Sequence, residues 1–499
     1  MPNLTDILAT VPHNLTAAEA QWQRLRQPPG ASHVIEQHSH GLGSTDWDVI
    51  VCGGTLGILL ALALQRQGYR VLVLERGRLQ GRDQEWNISR AELQTLTRLD
   101  LLTAAELEVA IASEFNPVRV QFAGGEPIWL RDVLNIGISP KTLLAQLKAA
   151  FLAAGGSLQE QTAFLGAVVH PDGVAVRIQA VTAAAETLTT RLLIDAMGHF
   201  SPIQQQARAD QTPRGICLVV GGCAQGLPER PYSDLMVTLE GICQQRQHFW
   251  EAFPAASGRT TYCFTYVDTL PQRPSLRALL EYYWQNLGAY QDCDPESVHF
   301  ERLIAGVFPS YSEVASRWPR ILAVGDSSGQ QSPLSFGGFG AMLRHLPRLL
   351  AGASEALKAD QLADLSLLQP YQPNLAVTWL FQQAMMVPVD AVVPESAINQ
   401  LLDSVFQAMQ ARGPTVLTPF VRDVIQFPAL TEALMATLWR NPGVVAAFVQ
   451  RVGIGPLLHW LPHYLSLGRY HLAYQLWGQR AETEQARVWK YGAGLDLAD

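Results

Sequence analysis

Residues 46–57 read DWDVIVCGGTLG, and this stretch decides the fold of the 499-residue chain. The apolar run 48–52 predicts a buried strand, the glycines after it predict a tight turn, and residues 58–67 have the apolar face of a helix. A second apolar run, 70–74, leads directly into Glu75. A strand, a glycine turn, a helix and a second strand in this order predict the βαβ unit that binds dinucleotides.

The turn at 52–57 has the second and third glycines of the dinucleotide fingerprint, while Cys52 stands at the position of the first glycine. We expect its backbone to approach a pyrophosphate, and the Glu75 carboxylate to accept both hydroxyl protons of an adenosine ribose. The alternative is a glycine-rich turn in an unrelated α/β sheet. The cofactor-binding residues predicted from this half are Gly53, Gly54, Thr55, Leu56, Gly57, Glu75, Arg76 and Arg82.

A second glycine-rich passage, residues 325–340, follows the apolar run 320–324 and favours FAD over NAD. Asp326 is placed to bond a ribityl hydroxyl of FAD. A helix beginning near Gly338 would direct its positive N-terminal end at the flavin and favour the anionic reduced form. A solvent-exposed loop is the alternative. The cofactor-binding residues predicted from this half are Gly325, Asp326, Pro333, Gly337, Gly338 and Phe339.

The composition of the chain limits its function class. Apolar residues make up 48% and charged residues 16%, which excludes intrinsic disorder. The net charge of -8 comes without a basic stripe, so no nucleic-acid partner is expected. The six cysteines form no CxxC pair, and no metal site is predicted. No apolar stretch is long enough for a spanning helix, which leaves peripheral membrane attachment open.

The predicted fold class is α/β, an FAD-binding Rossmann-like domain with an inserted, mainly antiparallel β-sheet domain and a helical C-terminal region. Residues 1–45 are predicted to be a polar N-terminal extension. The FAD-binding domain is assigned to 46–204 and 306–360, and the substrate-binding sheet to 205–305, where short strand-like runs alternate. Residues 361–499 have apolar residues at helical spacing between prolines, which predicts a run of helices.

Stretches at 84–90, 249–254, 325–326 and 370–374, together with the fingerprint region, resemble the CruA/CruP lycopene cyclases and cyclase paralogs of cyanobacteria, green sulfur bacteria and plants. The resemblance spans about residues 46–385, and the length and ending favour the CruP paralogs. It implies the fold of the flavin monooxygenases and geranylgeranyl reductases, bound FAD, and carotenoid metabolism at photosynthetic membranes. Better-known lycopene cyclases carry tandem glutamates where this chain has CFTYVD at 263–268.

The first functional hypothesis is a cyclase without net redox change. A neutral carboxylic acid would protonate the terminal double bond of lycopene, and reduced FAD would stabilise the resulting cation. The predicted acids are Glu251 and, second, Asp268, while Trp250, Phe253 and Phe336 are predicted to line the polyene path. An exposed strand carboxylate and ordinary core aromatics are the alternatives.

Two other hypotheses keep the flavin. One is a reductase or hydroxylase of a prenyl or carotenoid lipid, which would require an external electron donor such as NADPH or ferredoxin. The other is a protective protein that binds a carotenoid or another photosynthetic pigment. The apolar and aromatic stretches 444–448 and 455–461 predict contact with a membrane lipid surface. The expected location is peripheral, on the cytoplasmic side of a cyanobacterial thylakoid or plasma membrane.

Overall fold

A computed structural model describes residues 4–27, 33–208, 211–311, 317–329, 332, 334, 337–363, 365, 372–478 and 483–497. The α-helices within these ranges are α1 (Leu4–Thr10), α2 (Leu15–Leu25), α3 (Gly54–Arg66), α4 (Arg90–Arg98), α5 (Ala104–Ala110), α6 (Pro140–Ala153), α7 (Pro202–Ala207), α8 (Leu276–Gln291), α9 (Gly338–Ala359), α10 (Gln372–Met385), α11 (Ala397–Arg412), α12 (Pro414–Val421), α13 (Phe427–Arg440), α14 (Pro442–Val452), α15 (Ile454–Leu476) and α16 (Glu484–Gly492).

The strands are β1 (Ile35–Gln37), β2 (Trp47–Cys52), β3 (Val71–Leu74), β4 (Trp86–Ile88), β5 (Ile111–Glu114), β6 (Val118–Gln121), β7 (Ile128–Leu130), β8 (Ile136–Ile138), β9 (Ser157–Gln159), β10 (Thr162–Val169), β11 (Val174–Ala180), β12 (Glu186–Asp195), β13 (Gly215–Gln225), β14 (Ser233–Val237), β15 (Phe249–Ala255), β16 (Gly258–Val267), β17 (His299–Ser310) and β18 (Ile321–Ala323). Strands β4, β8 and β5 form a small separate sheet.

The first large sheet has the order β1-β10-β11-β12-β2-β3-β9, with β18 paired to β12. Strands β2, β3, β9, β12 and β18 run parallel, and Asp195 at the end of β12 pairs with Cys52 at the end of β2. The carboxyl ends of these strands therefore meet at one edge, where α/β sheets bind ligands. The predicted βαβ unit and the α/β fold class are confirmed.

Helices α3, α6 and α9 cover one face of the first sheet. Residues 58–64 of α3 are almost completely buried against β2, β3 and the leucines of α6 and α9. A helix that is apolar on all sides has no solvent face, so α3 is fixed between the sheet and its neighbours. This packing positions the N-terminus of α3 at the ligand-binding edge.

The second large sheet has the order β17-β13-β16-β15-β14-β6-β7 and is antiparallel except between β14 and β6. It extends beyond the predicted 205–305 segment, because β6 and β7 join from earlier in the chain and β17 continues to Ser310. The N-terminal extension, residues 1–45, was predicted to be polar and outside the folded domains, but part of it packs into a core. Trp22 is fully buried in the core that α8 forms on this sheet. These long-range pairings leave no local pattern in the sequence.

The C-terminal region is helical, as predicted. Helix α11 packs on α12 and α13, and α10 packs on α15. Phe406 and Val416 share a core with Phe249 and Phe264 of the second sheet, so the helices close one side of the space between the sheets. In the described part of the chain no single helix is long and apolar enough to span a membrane, although α14 and α15, bent by 107° at their junction, meet that measure together.

Candidate functional site

A cavity of about 1110 Å³ lies between the two large sheets and the C-terminal helices. Its cofactor end is lined by the strand ends of the first sheet, among them Gly53, Glu75 and Asp326. Its helical end is lined by residues of α10 to α15, such as Phe406, Leu438 and Phe448, together with Phe420 and Trp460. The cavity therefore connects the predicted cofactor site with the C-terminal helices.

The glycine turn forms one wall of the cofactor end. Gly53 has φ +96, and a side chain there would collide with the carbonyl of Ala196, so only glycine fits. The Glu75 carboxylate accepts hydrogen bonds from the amides of Gly54 (2.9 Å) and Gly77 (3.0 Å). The first amides of α3 have no partner within the helix, which makes this end suitable for an anion such as a pyrophosphate.

Most predicted residues of the first half lie at this wall. Those that line the cavity are Gly53, Thr55, Leu56, Glu75, Arg76 and Arg82. Gly54 and Gly57 lie behind the lining, where Gly57 packs directly against Val51 and Ala196. Their role is close helix–strand packing, which the fingerprint also requires.

Asp326, in the turn after β18, forms the opposite wall. Its Oδ1 atom is buried and accepts no hydrogen bond within the described residues, while Oδ2 lies 3.9 Å from Nε2 of His199. A buried carboxylate oxygen requires a donor, and a ligand hydroxyl would supply one. Gly337, Gly338 and Phe339 line the cavity beside it where α9 begins, and Gly325 is buried just behind. Pro333 and Phe336 lie outside the described residues.

Asp195 organises the third strand end, which the strand-like run 191–195 before a glycine turn predicts to lie near the cofactor, although Asp195 itself was not predicted as a binding residue. It is fully buried and accepts hydrogen bonds from Met197 N (3.1 Å), Ser201 Oγ (2.7 Å), Gln204 Nε2 (3.1 Å) and Ser327 Oγ (3.2 Å). Burial raises the pKa of Asp195, and these bonds oppose the shift. Its carboxylate thus ties the turn after β12 to the turn that presents Asp326. The only sequence signal was its place before a glycine at a strand end.

Strand β15 presents Glu251 and Phe253 to the cavity and Trp250 to the other side of the sheet. Successive side chains of a strand alternate between faces, so residues 250 and 251 cannot both line the cavity. Trp250 is fully buried in the α8 core, 4.6 Å from the ring of Tyr290 between centroids. This corrects the prediction that Trp250 lines a substrate path.

Glu251 is the acidic group of β15 inside the cavity. Its Oε1 atom accepts a hydrogen bond from Nδ2 of Asn87 (3.3 Å), and it pairs in register with Tyr262 of β16. Burial raises the pKa of Glu251 to about 7, against the opposing effect of the Asn87 bond. A large fraction of these carboxyls therefore carries a proton at neutral pH.

Asp268, the second predicted acid, lies away from the cavity. It follows β16 and forms an ion pair with Arg273, with 2.9 Å between Oδ1 and Nε. Arg273 also donates to the carbonyl of Val387 (2.6 Å). The carboxylate therefore anchors a loop to the segment after α10, and the structure does not place it where a substrate could receive its proton.

Two polar side chains that the sequence predictions did not assign to catalysis line the cofactor end near Glu251. Gln84 is 3% exposed, and neither atom of its amide has a hydrogen-bond partner within the described residues. Oδ1 of Asn87 is also buried and has no partner in the described part of the chain. Both belong to the stretch 84–90 that carries part of the family resemblance, but spacing alone did not reveal that both line the cavity and that Asn87 contacts Glu251.

The two ends of the cavity are joined by a buried ionic network. Nη1 of Arg344 on α9 lies 2.6 Å from Oε1 of Glu92 on α4, and its Nη2 lies 3.8 Å from Oδ2 of Asp423 after α12. Arg422 approaches the same glutamate at 3.9 Å. Arg344, Arg422 and Asp423 line the cavity.

The helical end opens on an apolar surface. Three residues, Met435, Leu438 and Val449, line the cavity and are also exposed to solvent, so they form its mouth. Exposed apolar side chains continue from this mouth over α13 to α15, and this apolar surface consists of Met435, Leu438, Trp439, Val449, Ile454, Leu458, Leu461, Leu465, Leu472 and Leu476. Within 427–477 the acidic residue is Glu432 alone, against three arginines.

Comparison with known proteins places this geometry in a family context. Residues 46–340 match the sequence profile described as FAD binding domain. No curated protein sequence matches the chain. A geranylgeranyl bacteriochlorophyll reductase-like protein from Thermoplasma acidophilum superposes with a TM-score of 0.61 at 16% identity, covering 84% of this chain and 100% of that one.

Two solved complexes with FAD share the fold. The halogenase PltM with phloroglucinol and FAD has a TM-score of 0.55 at 13% identity, over 91% of this chain and 97% of its own. Aklavinone-11 hydroxylase with FAD and aklavinone has a TM-score of 0.53 at 18% identity, over 72% and 73%. FAD also fits the site described here, because Asp326 offers a buried oxygen that has no hydrogen-bond partner within the described residues, and Thr55 and Leu56 at the N-terminus of α3 line the same cavity.

Proposed function

Because the chain belongs to the FAD-binding-domain family and is an FAD-dependent flavoprotein of the oxidoreductase and hydroxylase type, we propose that it converts a long polyene lipid, with Glu251 as proton donor. The reaction we favour is acid-catalysed cyclisation of the end group of a carotenoid such as lycopene. The observation that carries this proposal is a half-buried carboxyl with a pKa of about 7 inside a long, mainly apolar cavity.

The chemistry needs an acid that is neutral at working pH, and burial of Glu251 supplies it. Glu251 transfers its proton to the terminal carbon–carbon double bond, and the cation formed is attacked by a neighbouring double bond, which closes a six-membered ring. Loss of a ring proton to a base, for which the Glu251 carboxylate is available, restores the acid. Substrate and product are isomers, so no reductant is consumed.

The other residues of the cofactor end would hold FAD and orient the Glu251 carboxyl. Bound FAD supplies hydride chemistry or, when reduced, negative charge beside a developing cation. Glu75 and Asp326 would hold its ribose and ribityl hydroxyls. Asn87 orients the Glu251 carboxyl through its 3.3 Å bond, and Phe253 excludes water on the same face of β15.

We propose that the polyene enters from a membrane. The mouth formed by Met435, Leu438 and Val449 belongs to the apolar surface of α13 to α15. Helices with such a face lie in the plane of a bilayer interface. A hydrocarbon dissolved in lipid could thus reach the cavity without crossing water, which supports peripheral attachment to a membrane. The proposed carotenoid substrate makes a pigment-bearing membrane, approached from its cytoplasmic side, the location that we propose.

A reductase or hydroxylase of a prenyl or carotenoid lipid is the second candidate. The amide of Gln84 and Oδ1 of Asn87, which have no hydrogen-bond partner among the described residues, favour it, because a pure hydrocarbon cannot satisfy buried polar atoms. A substrate with an oxygen-bearing end could. A reductase consumes two electrons for each double bond that it reduces, and a hydroxylase consumes two electrons and one O₂ for each hydroxyl group that it introduces, so both require an external electron donor.

The test is anaerobic incubation of the chemically reduced flavoprotein with lycopene in liposomes, beside an oxidised control and a parallel sample with a geranylgeranyl lipid. Cyclic carotene in the reduced lycopene sample, with no flavin oxidised per product, supports the cyclase. Loss of the geranylgeranyl double bonds with stoichiometric flavin oxidation supports the second candidate instead. Lipid that is bound but unchanged in all samples, and still unchanged after O₂ is admitted to the reduced samples, overturns both candidates and leaves a carrier.

A further inference from the structure

Three histidines that are distant in the sequence meet at the outer edge of the first sheet. His38 and His40 follow β1, and His170 follows β10, its parallel neighbour. One ring nitrogen of each histidine lies within 4.8 Å of a ring nitrogen of the other two. The sequence prediction of no metal site rested on cysteine spacing, so this cluster was missed.

The backbone of the cluster is held in place independently of any ligand. The amide of His38 donates to the carbonyl of Val169 (2.9 Å). Beyond it, the Asp172 carboxylate accepts from the amides of Leu42 (2.8 Å) and Gly43 (2.9 Å), which ties the segment following β1 to the turn after β10. The chain bends at residues 39 and 40, and the ring centroids of His38 and His40 lie 5.4 Å and 5.1 Å from that of His170.

His170 has the arrangement of a metal-binding histidine. Its Nδ1 atom bonds the carbonyl of His40 at 2.8 Å, so Nδ1 carries the proton and Nε2 keeps its lone pair. A backbone carbonyl is a common orienting partner for a ligating imidazole. The imidazole is buried, whereas His38 and His40 are exposed and can rotate toward it.

We propose that His38, His40 and His170 form a binding site for a divalent cation of the zinc type. Three neutral imidazoles suit Zn²⁺, and solvent at the exposed side leaves a fourth position for water. In a tetrahedral site, ligand nitrogens about 2.0–2.1 Å from the metal are some 3.3 Å apart, which small rotations of the two exposed rings achieve. The Glu36 carboxylate, 3.9 Å from Nε2 of His38, adds favourable charge.

This site is separate from the cofactor end. Val169 pairs with Val174, which pairs with Thr190, and Thr190 precedes Asp195 by five positions on β12. At the rise of an extended strand, this separation along the sheet is about 16 Å. The metal would therefore act on the fold, by linking β1 and the N-terminal segment to β10, and the proposal does not depend on the reaction at Glu251.

The test is zinc binding by the full-length holoprotein after chelator treatment and dialysis, measured by titration calorimetry and metal analysis. We expect one zinc per chain and a higher Tm with zinc. The double variant His38→Gln/His40→Gln removes two exposed ligands without disturbing the core. Loss of a residue that only orients a ligand typically lowers metal affinity by roughly 10–100-fold, so loss of two ligands should lower the zinc affinity by more than that. His299→Gln, an exposed histidine on β17, is the matched control.

Equal zinc affinity in the double variant and the wild type, or no zinc binding at all, would overturn the proposal. Substituting Co²⁺ gives a second readout, since intense visible absorption reports tetrahedral coordination and should disappear in the double variant but not in His299→Gln. Flavin absorbance should be the same in all three proteins. A variant that loses zinc and flavin together would indicate damage to the fold, and His38→Gln alone would then decide.

Discussion

At the cofactor end of the cavity, hydrogen bonds hold Glu75 and the turn that presents Asp326, whereas at the helical end the lining consists of apolar side chains, some of which also meet solvent. Asp195 alone accepts four hydrogen bonds behind the cofactor wall. Leu438 and Val449, by contrast, are held by packing and are exposed. Chemistry requires fixed groups, while uptake of a flexible lipid requires an apolar opening that adapts.

The largest expected effect concerns chemistry at the cofactor end. Glu251→Gln keeps the shape but removes the proton, so turnover should fall by about 10²–10⁴-fold with FAD still bound. Wild-type turnover should decline as pH rises through about 7, where Glu251 ionises. Asp268→Asn, which alters a carboxylate outside the cavity, should retain turnover. Full activity of Glu251→Gln would remove the acid from the proposed mechanism.

The same glutamate also gives a stability signature. The pKa of Glu251 is 4.5 in the unfolded chain and about 7 in the folded protein, so between these pH values the folded protein binds the proton more tightly than the unfolded chain does. Its contribution to stability is therefore present below pH 4.5 and is lost as pH rises through 7. Relative to the wild type, Glu251→Gln should be more stable at pH 8 than at pH 5, as urea unfolding would measure.

The next effect concerns the network that joins the two ends. Glu92→Gln preserves the helix cap on Ser89 but removes the nearer of the two buried charge partners of Arg344, leaving Asp423 at 3.8 Å. Removing one member of a buried ion pair costs about 3–5 kcal/mol in the free energy of unfolding. Arg487→Gln, which breaks an exposed pair with Glu355, should cost less than about 1 kcal/mol. Similar losses in the two variants would mean that the buried network contributes no more to stability than an exposed ion pair.

A smaller effect is expected from the glycine turn. Gly53→Ala places a side chain against the carbonyl of Ala196 at a positive φ, which costs about 1–3 kcal/mol in strain and should reduce FAD content, measured from flavin absorbance. Gly68→Ala has a similar φ of +90 but no atom within 4 Å, so it isolates the strain from the contact. FAD content should fall only in the first variant.

The sequence could predict those features of the cofactor end that depend on local signals, but not those that depend on tertiary packing. The βαβ unit, Glu75 and Asp326 were found because their signals are local: a strand, a glycine turn and an acid at a fixed distance. Trp250 was misplaced because nothing in an aromatic run states which face of β15 is buried under α8. The prediction that Asp268 is an acid in the cavity was wrong for a related reason. Its partner Arg273 lies in a loop whose position depends on tertiary packing.

Sites assembled from distant segments were beyond sequence reasoning. Glu92 and Arg344 lie on two helices and Asp423 follows a third, and the three histidines follow two strands that pair only in the folded sheet. The sequence around each of these residues contains no motif that marks it as part of a site. Their roles depend on strand order and helix packing, which the residue pattern does not encode locally.

The smallest expected effect concerns the helical end. Trp439 is 80% exposed and Ile454 70% exposed, so replacing each with serine removes apolar area from the apolar surface without altering the core. If each side chain enters a bilayer interface in part, each loss should cost about 1 kcal/mol, or roughly fivefold in liposome partitioning measured by flotation. Val181→Ser, 77% exposed on a turn after β11, is the matched control. Partitioning that falls equally in all three variants would show that α13 to α15 are not the contact, and the difference between the two ends of the cavity would then need another explanation.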